Sequence, residues 1–132
     1  MKKFAVLTVG FGMLTALAAA PAMAAGNAEA GEKVFNKCKT CHRIGEGAKN
    51  MVGPELNGLD GRKSGSAEGY SYTDANKNSG ITWNEASFKE YITDPKKKIP
   101  GTKMIYAGLS SEQERDDLWA YLSQFKADGA KK

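Results

Sequence analysis

The sequence predicts an all-α domain, with three main helices and long loops wrapped around a large apolar filler. Three observations carry that expectation. Apolar residues recur at helical spacing in three separate stretches. No run alternates apolar and polar residues with period two, so almost no sheet is expected. The stretch from Gly45 to Gly80 is rich in Gly, Asn, Ser and Lys and offers few aliphatic side chains to bury. Loops this long in a small domain are usually functional or wrapped around something. A thin core in about a hundred residues invites a staple or a cofactor.

The elements follow in chain order. Lys2 and Lys3 open a basic start, and Phe4 to Ala20 is an uncharged, mostly apolar run. Pro21-Ala22-Met23-Ala24 then offers small residues at Ala22 and Ala24. This is the layout of a secretory signal peptide, so residues 1–24 are expected to be cleaved after Ala24 or one residue later. The competing reading is a membrane anchor; the run sits at the lower edge of a span, and the A-x-A site favours cleavage. Export points to a bacterial periplasm. Removing 24 of the 132 residues leaves a domain of 108, residues 25–132. Losing Lys2 and Lys3 takes the net charge from +4 to +2, too little to argue for nucleic acid.

A first helix is expected from about Asn27 to Cys38, with Val34, Phe35 and Cys38 on one face. Gly31 sits inside it, and a mid-helix glycine costs about 1 kcal/mol against alanine. Close approach of another helix is one reason to tolerate it. A short turn is expected near Thr73 to Asn78. A middle helix runs from about Asn84 to Asp94, with Phe88, Tyr91 and Ile92 inward, and Asp94-Pro95 ends it. The last helix runs from about Glu112 to Phe125, where Leu118, Tyr121, Leu122 and Phe125 form the stripe. Ser111 and Glu114 fit a capping box. Glu112, Glu114, Asp116 and Asp117 suit the positive end of the helix dipole, with no binding role expected. The polar residues after Phe125 read as a frayed tail.

Cysteine and histidine counts sharpen this. The chain has two cysteines and one histidine. That excludes a disulfide-rich scaffold, and a catalytic triad beside a separate metal site. All three fall in Cys38-Lys39-Thr40-Cys41-His42, a C-x-x-C-H haem-attachment pattern. At a helix end, positions i and i+3 project from one face, so both sulfurs reach the two vinyl groups of one haem. The adjacent imidazole then turns onto the iron. A redox dithiol belongs in a βαβ context, which is lacking. A zinc site needs about four N/S ligands. A bare disulfide leaves His42 unexplained.

With one histidine, bis-histidine ligation is impossible. After the leader is removed, Met51 and Met104 are the remaining thioethers. Met51 lies nine residues from His42, in a segment that must leave the proximal side. Met104 follows the Pro100-Gly101 turn, which is able to present a sulfur inward. Met104 is therefore the expected sixth ligand, with Lys97, Lys98 or Lys103 as its replacements once deprotonated at high pH. Met/His ligation closes the iron and raises its potential. That favours electron transfer over oxygen binding or peroxide chemistry.

The residues also resemble a known family, the class I cytochromes c, bacterial periplasmic relatives of mitochondrial cytochrome c. The resemblance covers about Gly31 to Leu122. It rests on Cys38 to His42, Gly53-Pro54-Glu55-Leu56-Asn57-Gly58, Gly61-Arg62-Lys63 and Tyr72 to Asn78. Gly80-Ile81-Thr82-Trp83, Asp94-Pro95-Lys96-Lys97 and Ile99 to Met104 complete it. It implies the class I cytochrome c fold around one haem c, bound through Cys38 and Cys41 and ligated by His42 and Met104. It implies that Pro54 O accepts the His42 Nδ1 proton, and that Arg62, Tyr72 and Trp83, joined by Thr73, hold the propionates. Asn76, Tyr91 and Thr102 would surround a buried water near Met104. Gly31 and Phe35 would meet Leu118 and Tyr121 at a helix crossing.

There are departures. Tyr106 stands where mitochondrial members usually carry phenylalanine, Ser110, Ser111 and Glu112 where they carry lysines, and Asn50 for a structural histidine. Lys33, Lys37, Lys39, Lys96, Lys97 and Lys103 remain around the expected haem edge, as a docking ring for acidic partners. The function implied is a monomeric, single-haem electron shuttle, not an enzyme, in a respiratory or photosynthetic chain. Its donor would be of the quinol–cytochrome c oxidoreductase type and its acceptor a terminal oxidase or photosynthetic reaction centre. A small peroxidase and a gas-binding haem protein are the rivals, and both need an open sixth position.

Overall fold

The computed structural model describes Gly10 and residues 25–132. Apart from Gly10, the expected leader and its cleavage site lie outside the described residues. Among the described residues there are five helices: α1 (Ala28–Phe35), α2 (Asp74–Lys77), α3 (Glu85–Thr93), α4 (Pro95–Lys98) and α5 (Glu112–Leu122). The three longer ones are the expected main helices. Among the described residues there is no strand, only isolated bridges at Lys63–Thr82 and Phe125–Lys131. None of the described helices is long and apolar enough to cross a membrane.

The frame is the crossing of α1 and α5. Asn27 caps α1, its side chain accepting from Ala30 N at 2.9 Å. At Gly31 a Cβ would overlap the Asp117 carbonyl and approach Tyr121 Cβ. The glycine is thus the condition for contact, and the helix-propensity cost is offset by packing. Phe35 meets Tyr121 with ring centroids 5.5 Å apart, and Tyr121 meets Phe125 edge-on at 5.3 Å. α3 joins α5 through Phe88 and Trp119, 5.3 Å apart.

Several expectations need correction. α1 stops at Phe35, not Cys38, and the chain tightens into bonds from Lys37 N to Val34 O and Cys38 N to Phe35 O. α5 stops at Leu122, although Phe125 stays buried beyond it. Asp94 ends α3 and also caps α4, whose first residue is Pro95. Ser111 Oγ accepts from Glu114 N at 3.2 Å, but the Glu114 carboxylate accepts from Lys37 Nζ at 2.8 and 3.0 Å. The reciprocal box is made instead at α3, between Asn84 and Ser87.

The acids of α5 do more than suit the dipole. Buried Asp117 accepts from Asn27 N at 2.7 Å, which ties α5 to the start of α1, and from Gln113 Nε2 of its own helix at 2.9 Å. Asp116 pairs with Lys89 of α3. Nor is the tail frayed. Lys126 N donates to Ala130 O and Lys132 N to Gln124 O, both at 2.8 Å. Gly129 is buried flush against Gly45. The polar composition misleads because these bonds are backbone to backbone.

Candidate haem site

The turn after α1 sets the two cysteines. Cys41 N donates to Cys38 O at 3.1 Å and His42 N to the same oxygen at 2.9 Å. Both thiols are free, half-buried, and line one cavity. Burial first, and the neighbouring Cys41 second, pushes the Cys38 thiol up to about 11. Redox-active dithiols sit in electropositive places that lower the thiol pKa. Cys38 is in the opposite environment, which argues against a redox dithiol.

His42 is buried, and its Nδ1 lies 2.7 Å from Pro54 O. A carbonyl only accepts, so Nδ1 carries the proton and Nε2 keeps a free lone pair. Burial, aided by the Arg62 charge, lowers the His42 pKa against the opposing pull of the Pro54 bond. The ring is therefore neutral at pH 7, the form that binds a metal. Gly53 packs on its face: a Cβ there would lie 2.7 Å from Nδ1 and 2.8 Å from Nε2. Gly53 N donates to Cys41 O at 2.8 Å, and Leu56 N to Arg43 O at 3.0 Å, fixing the loop that carries Pro54.

On the other wall, the Pro100-Gly101 turn closes with Thr102 N donating to Ile99 O at 3.0 Å, Gly101 having φ +92°. Met104 follows, half-buried against the core. Its Sδ accepts from Tyr91 Oη at 3.1 Å, and its N donates to Thr102 Oγ1 at 3.3 Å. Burial raises the Tyr91 pKa, with the Thr102 hydroxyl opposing it, so the phenol stays a donor. Met51 is exposed at 44% and lies off the cavity wall.

The cavity measures about 410 Å³ and is walled mainly by apolar side chains. It brings together Cys38, Cys41, His42, Pro54, Arg62, Tyr72, Asn76, Trp83, Tyr91, Thr102 and Met104, with Thr73. Cys38, Cys41, His42 and Met104 are expected from the residues themselves, and the others from the family resemblance. Sequence reading missed the polar neighbours. Arg62 Nη1 donates to Glu55 Oε1 at 3.1 Å and to Asn57 O at 3.0 Å, and Nη2 to Glu55 O at 2.8 Å. Tyr72 Oη accepts from Ala67 N at 3.0 Å. Thr73 caps α2, accepting from Asn76 N at 3.4 Å.

Tyr70 was also overlooked. It donates to Val52 O at 2.7 Å and carries the Lys103 ammonium over its ring. Of the six lysines expected around the edge, only Lys37 and Lys103 line the cavity. Both have partners: Glu114 for Lys37, Ser71 O and Tyr70 for Lys103. Lys33, Lys39, Lys96 and Lys97 are exposed and lie off its wall. Lys98 pairs with Glu90 at 2.7 Å.

The donor set fits a haem. Two free thiols, a neutral imidazole with a bare Nε2, and a thioether share one apolar cavity. Residues 28–126 match the family model described as cytochrome c. The chain is 61% identical to cytochrome c-554 of Methylosinus trichosporium over the full length of both chains. It is 67% identical to cytochrome c2 of Rhodoblastus acidophilus over 81% of this chain and all of that one. The solved structure of cytochrome cH from Methylobacterium extorquens superposes with a TM-score of 0.69 at 50% identity, covering 74% of this chain and 97% of that one. Matched at this depth and bearing the attachment motif on the wall of one apolar cavity, the chain belongs to the cytochrome c family: an electron carrier, not an enzyme, with one haem c bound covalently through Cys38 and Cys41.

Proposed function

We propose that this cytochrome is a soluble periplasmic shuttle whose iron is held by His42 Nε2 and Met104 Sδ. One observation carries the ligand assignment: Tyr91 Oη donates to Met104 Sδ in the same cavity that His42 enters as a neutral, Nδ1-protonated ring. The bound haem supplies a one-electron Fe(II)/Fe(III) couple. The chain's residues keep that couple in place and exclude other chemistry. Pro54 holds the imidazole tautomer, Tyr91 holds the thioether, and the apolar wall keeps bulk water out. Arg62, Tyr72, Trp83 and Thr73 are proposed to meet the propionates. Asn76, Tyr91 and Thr102 are proposed to enclose a buried water beside the methionine.

Electrons leave and enter at the cavity mouth, where Val52 is 73% and Ile105 93% exposed. Docking is proposed to combine this apolar centre with the surrounding lysines, so that salt slows association. The partners proposed are a quinol–cytochrome c oxidoreductase donor and a terminal oxidase or photosynthetic reaction centre acceptor. Cleavage of residues 1–24 is proposed from the basic start, the apolar run and the A-x-A site.

The test is ligation. The ferric protein should display the sulfur-to-iron charge-transfer band, and the ferrous protein should bind carbon monoxide poorly. Met104→Ala should lose the band, bind carbon monoxide readily and keep its covalent haem. A native protein without the band that binds carbon monoxide would overturn the closed-iron reading and favour a peroxidase or gas binder.

A further inference from the structure

We infer that Glu55 is a positioning residue that lowers the reduction potential of this cytochrome, by holding Arg62 and offsetting its charge at the cavity wall. The inference rests on the reading of that cavity as the haem site. Arg62 lines the cavity with a side chain only 14% exposed, and Glu55 behind it is 24% exposed. Glu55 lines a second, polar cavity and not the first. The carboxylate thus backs the guanidinium from the side away from the haem cavity.

The pair is fixed from several directions. Glu55 receives Arg62 on both its side chain and its carbonyl, and Asn57 O takes a further N–H. Those bonds use three of the five N–H groups of the guanidinium, leaving two for the cavity side. Glu55 Oε2 also accepts from Asn57 N at 2.6 Å, while Glu55 N donates to Asn50 Oδ1 at 2.9 Å. Asn57 is buried and clamped to Gly45 through both its amide groups, at 2.8 and 2.9 Å. The carboxylate therefore has little freedom to leave the guanidinium.

The electrostatic consequence follows. When the iron gives its electron to the acceptor protein, one additional positive charge stays in the cavity. A lone guanidinium on the wall would repel that charge and favour the ferrous state. A guanidinium paired with a carboxylate acts as a dipole, whose field falls off faster than that of a single charge. Pairing relieves the ferric state, so the potential is lower with Glu55 than without it. Glu55 is also the residue after Pro54, so one short segment sets both the His42 tautomer and the Arg62 charge.

Potentiometric titration of the intact holoprotein tests this with Glu55→Gln, Glu55→Asp and Glu29→Gln. Glu29 is exposed in the first turn of α1 and controls for net charge. At the ambient potential that half-reduces the native protein, Glu55→Gln should raise the ferrous-to-ferric ratio by at least about threefold. Glu29→Gln should leave it nearly unchanged. Glu55→Asp keeps the charge on a stem too short for both Arg62 and Asn57 N, and should fall between native and Glu55→Gln. A Glu55→Gln ratio that moves no further than the control overturns the inference. So does a Glu55→Asp ratio at or below the native one, even if Glu55→Gln fails to assemble. Failure of the Met104 assignment reads differently: the native charge-transfer band would be missing while the Glu55 and Glu29 variants still separated.

Discussion

The two walls of the cavity are built to different standards of rigidity. The His42 wall is tied at every step: by the turn at Cys38, by Gly53 N to Cys41 O, by Pro54 O to Nδ1, and by Gly53 pressed on the ring. The Met104 wall runs from Thr102 to Ser110 without a helix or strand. Its thioether is held by one phenol at 3.1 Å and one weak backbone bond at 3.3 Å. Met104 is flanked by the exposed Lys103 and Ile105. Local opening free energies follow such differences in bonding and burial. The sulfur wall is thus where the iron would first be exposed, and the imidazole wall is where the fold itself is held.

Breaking the tight wall should have the largest effect. Gly53→Ala forces a methyl into the His42 ring, which has no room to retreat because Pro54 holds its other edge. A loss of about 2 kcal/mol or more is expected, read as a fall in Tm together with a changed haem spectrum. If Gly53→Ala kept native Tm and spectrum, the flush contact would not matter. Loosening the other wall should act more gently. Tyr91→Phe removes the donor to Met104 Sδ and should raise the affinity of the ferric protein for added imidazole by about three- to tenfold, with little change in fold. An unchanged affinity would mean that the phenol does not hold the sulfur.

The smallest effect is expected at the rim of the tight wall. Lys37 has its pKa raised, chiefly by its bond to Glu114. A raised lysine pKa gives stability that is complete below the unfolded value of about 10.5. That stability is lost as pH rises through the folded value. Glu114→Gln should therefore lower Tm slightly at neutral pH, and the difference from native should shrink above about pH 10.5. A difference that grows with pH would contradict the pairing.

How far these features were legible in the chain depends on what kind of bond makes them. Helices α1, α3 and α5 were legible because apolar spacing is local, and Gly31 because close approach of another helix is one reason to tolerate its cost. Cys38, Cys41 and His42 were legible because attachment chemistry requires their spacing. Met104 was preferred to Met51 by chain reach and by the Pro100-Gly101 turn before it. Arg62, Tyr72 and Trp83 needed the family resemblance, since each is ordinary in isolation. The Glu55–Arg62 pair, the Asp117 bridge and the Tyr70 contacts were not legible. A polar side chain has many possible partners, and the loop path that selects one is not written in local periodicity. The ordered tail escaped for a different reason, because its bonds are between backbone groups that every residue carries.

The α1–α5 crossing also has a consequence for how the chain comes into being. Asn27 and Asp117, which bond across it, are 90 residues apart in sequence. An all-helical chain ordinarily folds through local contacts and quickly, but here the contact that buries α1 must close almost the whole domain. A growing chain therefore has nothing against which to bury α1 until α5 has been made. Through that interval the two thiols just beyond α1 remain reachable, and haem attachment can precede the final closure of the fold.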